Sequence, residues 1–148
     1  MMLSKHVSYS EMVKSGTPTA AQVENMRAVC AIADVVRDHF DAAFNVHSGW
    51  RSPESNAAAH GATHSEHLDG CAVDFDVAGY SCETVLAYLA AEVKAGRLVV
   101  DQVIGETRAG HGPFTWVHVG FRPAGPNRGQ LLQSFDGKHY AALALAVA

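Results

Sequence analysis

The chain has 148 residues, 48% hydrophobic and 18% charged, with a formal net charge of −4. This predicts one domain over residues 1–148 with a real core, and the mildly acidic balance, without a basic run, gives no reason to expect a nucleic-acid partner. No apolar stretch approaches the roughly 20 residues of a membrane span, and Cys30, Cys71 and Cys82 form neither a disulfide framework nor a zinc ribbon, so they read as reduced, buried thiols.

In chain order, the N-terminus lacks the apolar core of a signal peptide, which leads to the expectation of a soluble product made in the cytoplasm. Residues 1–18 read as irregular, with a short turn of helix around Ser10 to Lys14 and a stop at Gly16 and Pro18. Thr19 is placed to cap a helix from Ala20 to Phe40, because Val23, Met26, Val29, Cys30, Ala33 and Val36 fall on one stripe. Phe44 to Ser48 alternates as a short strand. Ser52 before Pro53 is a helix start, giving a short helix over Pro53 to Ala59, and Arg51 sits at this strand-to-helix junction, where it can reach into a site.

The segment Ser65-Glu66-His67-Leu68-Asp69-Gly70 then leads into an alternating run, Cys71, Val73, Phe75 and Val77, which reads as a strand buried on one face. Ala72, Asp74 and Asp76 point the other way. His67 on the turn and Asp74 on the polar face are a workable pair of metal ligands, since imidazole nitrogen and carboxylate oxygen both suit zinc. A second amphipathic helix follows from Ser81 or Cys82 to Lys94, closed by Gly96.

Val99 to Glu106 reads as a strand with Gln102, Ile104 and Glu106 on one face, and the glycine-containing loop Thr107 to Pro113 joins it to Trp116–Phe121. There Val117, Val119 and Phe121 alternate as a core face and send His118 to the opposite side. Two histidines and an aspartate leave zinc's fourth position open to water, the pattern of a catalytic site. If the last two strands form an antiparallel hairpin, Glu106 and His118 face the same side near the same end. The tail from Pro123 suggests a terminal hairpin of Gln130 to Phe135 with His139 to Val147, although the alanine-rich end from Ala141 can equally form a helical turn.

Ser65-x-His67-x-x-Gly70-x-Ala72-x-Asp74, preceded by Ser48-Gly49-Trp50-Arg51-Ser52-Pro53-x-x-Asn56 and followed by Trp116-Val117-His118-Val119, resembles the zinc D-alanyl-D-alanine carboxypeptidase family. That family includes phage and bacterial peptidoglycan endopeptidases, and the Hedgehog signalling domain shares its zinc fold. The likeness runs through about residues 3–122, with 123–148 as a hairpin or extension, and the opening Leu3-Ser4-Lys5-His6 looks like the small phage and prophage branch. The resemblance implies an α+β fold with a small antiparallel sheet flanked by helices, and a single zinc ion at His67, Asp74 and His118. It also implies a substrate of peptidoglycan stem peptides rich in D-amino acids.

Carried over residue by residue, Arg51 matches the arginine that holds a substrate carboxylate or carbonyl oxygen, and Ser65 the substrate-side hydroxyl two residues before the first ligand, although a hydrogen bond to backbone or to that ligand is favoured for it over direct substrate contact. Many relatives carry an acidic residue two or three positions before the last histidine, where this chain has Trp116 and Thr115. In part of the family the acid sits near the end of the preceding strand, which assigns the general base to Glu106, with Asp76 or Asp101 next in line.

Two functions follow as expectations. One is a zinc peptidase acting on peptidoglycan after release from the host cytoplasm or as part of a virion. The other is a non-catalytic zinc module or virion structural protein that keeps the fold.

Overall fold

The computed structural model describes residues 1–145; the helical turn expected over Ser10 to Lys14 lies at Tyr9–Met12, and the strand expected from Val99 begins only at Gln102. Ser8 and Glu11 form a capping box that starts the short α1 (Tyr9–Met12), and Thr19 and Gln22 form another at α2 (Ala20–Phe40). β1 (Phe44–Ser48) leads to α3 (Pro53–Ala58), whose first turn holds Pro53 behind the Ser52 cap. A 3₁₀ turn over Glu66–Asp69 precedes β2 (Ala72–Val77), and Ser81 caps α4 (Cys82–Lys94). Four strands follow: β3 (Gln102–Glu106), β4 (Trp116–Gly120), β5 (Gln130–Ser134) and β6 (Ala141–Ala142).

The six strands form one sheet in the order β1-β2-β4-β3-β5-β6. Its apolar face, with Val73, Phe75, Val103, Val117 and Val119 all fully or almost fully buried, packs on Met26, Val29 and Val36 of α2 and Val85, Leu86 and Leu89 of α4. The three cysteines are free and buried, and burial pushes the Cys30 thiol up to about 12 and those of Cys71 and Cys82 up to about 11. They are filler in the packing, with no thiolate available for chemistry near neutral pH.

One expectation is corrected. The sheet is mixed rather than antiparallel, because β3 and β5 run parallel with Gln102 opposite Gln130 and Glu106 opposite Ser134. β4 ends at Gly120 beside Gln102, the start of β3, and residues 121–129 cross that end of β3 to begin β5 on its far side. The chain therefore re-enters the sheet in the direction of β3. Asp101 anchors the crossing, accepting from the Arg128 amide and from its guanidinium at 2.9 and 2.8 Å. The expected terminal hairpin is present as β5 and β6, with Leu132 opposite Ala142, while residues 146 and 147 of the expected second arm lie outside the described residues. No helix among the described residues is long and apolar enough to cross a membrane.

Candidate active site

The polar face of the sheet assembles the site by register alone. Asp74 of β2 lies opposite His118 of β4, which lies opposite Ile104 of β3, which lies opposite Leu132 of β5. One row further along, Glu106 lies opposite Trp116 on one side and Ser134 on the other. Because alternate residues share a face, Glu106 stands diagonally across from His118, on the side and near the end expected from sequence.

His67 arrives from outside the sheet. Ser65 caps the 3₁₀ turn by accepting from the His67 amide at 3.2 Å, and Gly70 ends it with φ +76. A Cβ at Gly70 would also run into the Gln22 carbonyl oxygen, so only glycine lets the chain turn there into β2. This places His67 Nε2 3.2 Å from Asp74 Oδ2, while His118 Nδ1 lies 2.9 Å from Asp74 Oδ1. Asp74 thus spans both imidazoles with one oxygen each.

His67, Asp74 and His118 are all buried, and each offers a ligand atom within 4.8 Å of the others. Electron-pair donors gathered this closely away from water are stable only with positive charge between them, carried by protons on the imidazoles or by a metal ion. The surroundings favour the second. The Gly49 carbonyl oxygen lies 2.7 Å from His67 Nδ1, so that nitrogen carries the proton and donates it, which leaves Nε2 as a bare lone pair turned toward Asp74. Burial by itself would raise the Asp74 pKa; with both imidazoles protonated, the His67 charge and hydrogen bonds from the two rings hold it well below the usual carboxylate range, and a metal ion supplies the same positive charge when Nε2 is a lone pair. Burial likewise pulls His118 down, and its bond to Asp74 more than reverses that. An ionised carboxylate flanked by two imidazoles, one with its tautomer fixed, suits zinc.

Around this group lies a cavity of about 390 Å³ that reaches Arg51, Ser65, Glu106 and Tyr140 as well as the three ligand candidates. Arg51 is held by Ser48 Oγ at 3.0 Å and reaches Asn56 Oδ1 and Asp74 Oδ2 at 3.4 Å each. It faces the cavity and also braces a ligand carboxylate, a structural duty that its position at a junction did not reveal. His60 and His64 line the cavity too, whereas His111 does not.

Glu106 is buried, and two groups hold its carboxylate. Trp116 Nε1 donates to Oε2 at 3.1 Å, and Arg108 Nη1 stands 3.5 Å from Oε1 with its guanidinium 5.0 Å over the Trp116 ring. Trp116 therefore occupies the position where many relatives place an acid and orients the acid that stands one strand away. The other acidic candidates are committed elsewhere: Asp76 binds Asn45 and His47 on the β1 side, and Asp101 binds Arg128. Sequence reasoning passed over Glu66, which is buried beside His67; neither carboxylate oxygen accepts a hydrogen bond among the described residues, and Arg122 Nε stands 3.3 Å from Oε2 as an ion pair. Burial and the Asp101 charge push it up to about 7, against the pull of His118 and Arg122.

No curated protein matches the chain. The sequence model of the family described as Peptidase M15 matches residues 5–111, a stretch that contains Arg51, Ser65, His67, Asp74 and Glu106 and stops short of His118. His118 joins them through the β2–β4 register, so geometry completes what the match begins. With well over half of its length matched and the remaining ligand candidate delivered by the sheet, the chain belongs to the Peptidase M15 family.

Proposed function

We propose that the protein is a zinc-dependent peptidase that hydrolyses peptidoglycan stem peptides or their cross-links, as a phage or prophage cell-wall lysis enzyme. The observation that carries this reading is the pairing of a buried His67–Asp74–His118 group with an oriented carboxylate, Glu106, on the same sheet face and at the same cavity. Zinc, held by His67, Asp74 and His118, would supply Lewis-acid polarisation of the scissile carbonyl.

The chain's own residues do the rest. Glu106 takes a proton from the attacking water and returns it to the leaving amine, a two-way transfer that needs a carboxylate fixed in place, as Trp116 and Arg108 fix this one. Arg51, braced by Ser48, positions a substrate oxygen with the remaining capacity of its planar fork. Ser65 supports the turn that presents His67, so its hydroxyl acts through the ligand.

Purified protein should contain zinc in about equimolar amount, as expected of a three-ligand site. It should release peptide fragments from purified cell walls, read by mass spectrometry. His67→Ala and His118→Ala should lose both metal and fragment release. Full zinc in either variant overturns the ligand set, and zinc-loaded wild type that leaves cell-wall peptides intact overturns the substrate.

A further inference from the structure

Four of the cations that reach the cavity are already neutralised. Arg51 lies within 4 Å of Asp74, Arg108 of Glu106, Arg122 of Glu66 and Arg128 of Asp101. Lys138 also lines the cavity, and among the described residues no carboxylate lies within ion-pair distance of it. An unpaired surface lysine is ordinary. This one differs because its backbone is fixed against the site.

The turn that carries it, residues 134–140, is tied to the Glu106 end of β3 at several points. The Thr107 amide donates to the Ser134 carbonyl at 3.1 Å, the Gly110 amide donates to the Phe135 carbonyl at 3.0 Å, and Phe135 stacks on Phe114 with ring centroids 5.3 Å apart. Ser134, buried opposite Glu106, accepts from the Gly137 amide at 2.9 Å. Gly137 has φ +76 and lies directly against the Arg108 guanidinium, so a side chain there would displace the group that holds Glu106.

Asp136 closes the turn. It accepts from the Lys138 and His139 amides at 2.8 Å each and from His139 Nδ1 at 2.6 Å, and these bonds hold its carboxyl well below the usual range. Its oxygens are therefore occupied by backbone and imidazole, and the Lys138 ammonium remains uncompensated. Tyr140 follows on the same wall, and besides burial the nearby Glu106 and Asp74 charges raise its phenol. The turn lies beyond residues 5–111, so nothing in the family match accounts for it.

We propose that Lys138, backed by Tyr140, forms a carboxylate-binding subsite in the cleft wall, which selects peptide substrates carrying a free carboxylate near the scissile bond. This rests on the peptidase reading above and adds to it a chemical class of substrate. A cation whose backbone is fixed at the rim, with the neighbouring cations already paired, is available to an anion that enters the cleft. In a stem peptide the carboxylate can come from the C-terminus or from the α-carboxyl of a γ-linked D-glutamate, and the two sources are separable.

The test uses zinc-loaded full chain and the pentapeptide L-Ala-γ-D-Glu-L-Lys-D-Ala-D-Ala, in three forms: unmodified, amidated at the C-terminus, and amidated at the D-glutamate α-carboxyl. Wild type should prefer the unmodified peptide over one of the amides by about fivefold to tenfold in kcat/KM, the range for a charge-assisted contact in a partly wet cleft. That amide identifies the carboxylate. Lys138→Met should reduce the preference to near unity, and Lys138→Arg should keep it, a rescue that a merely structural role would not show.

Calorimetric binding of the same peptides to zinc-loaded Glu106→Gln, with and without Lys138→Met, should show the same preference without turnover. If binding depends on Lys138 but wild type cleaves none of the peptides, the subsite stands and the peptidase reading falls. If wild type discriminates against neither amide in rate or binding, or if Lys138→Met keeps the preference, the subsite is overturned whatever the protein cleaves.

Discussion

The two faces of the central sheet are built from the same strands and have opposite tolerances. On the helix-covered face Val73, Phe75, Val103, Val117 and Val119 are interchangeable in kind, and many apolar contacts share the work. On the other face Asp74, His118 and Glu106 each occupy a single register position. The strand alternation that creates both faces also isolates them: a change on one side reaches the other only by moving the backbone. Stability and chemistry should therefore separate cleanly by face.

The largest effect is expected on the polar face. Glu106→Gln keeps the size of the side chain and an acceptor oxygen for Trp116, but loses the ability to take and return a proton. Cleavage should fall by about 10²-fold to 10⁴-fold, the usual worth of a general acid–base group. Zinc content and melting temperature should stay near those of the wild type. A variant that cleaves at close to the normal rate would place the base elsewhere and remove Glu106 from the comparison.

The opposite result is expected one layer away. Leu89 of α4 is fully buried against the apolar face. Leu89→Ala should cost about 2–5 kcal/mol, the transfer and cavity terms together, and lower the melting temperature accordingly. Below its transition the folded variant should bind zinc as before and keep kcat within about twofold, since no apolar-face contact touches the ligand row. Loss of zinc at a temperature where the variant is fully folded would show that the two faces are coupled.

The same division explains what could be read from the sequence. The helix Ala20–Phe40 and the strand Phe44–Ser48 were legible to the residue, because apolar period and cap residues are local signals. The faces of Asp74, Glu106 and His118, and the turn that carries His67, were legible because three strand alternations and a glycine turn are local signals, while the roles given to these residues came from the resemblance. The parallel pairing of β5 with β3 was not, since nothing within Gln130–Ser134 states which strand it will join; that depends on where residues 121–129 cross. Trp116 as the orienting partner of Glu106 was equally hidden, because its role depends on a cross-strand neighbour. Glu66 was passed over because a glutamate beside a ligand is by default solvated, and only the fold shows it buried.

The smallest effect tests the one charged contact that links the faces to the chain crossing. Asp101 is almost fully buried, and Arg128 holds it through two guanidinium bonds and a backbone amide. These bonds outweigh the burial that opposes them and bring its pKa from the ordinary 3.8 down to about 2. A folded value below the unfolded one means that the unfolded chain takes up the proton first as pH falls. The stabilisation is thus complete above about pH 5 and is lost progressively as pH falls through 4 toward 2. A shift of this size, discounted because Arg128 is half exposed, is worth about 1–2 kcal/mol. Asp101→Asn should therefore lower the denaturant midpoint at pH 7, and the gap from wild type should narrow on acidification and nearly close by about pH 2. A gap of constant size across that range would mean that the crossing is held by hydrogen-bond geometry rather than charge. The ionised Asp101 would then not be what fixes β5, and with it the Lys138 turn, to the edge of the catalytic face.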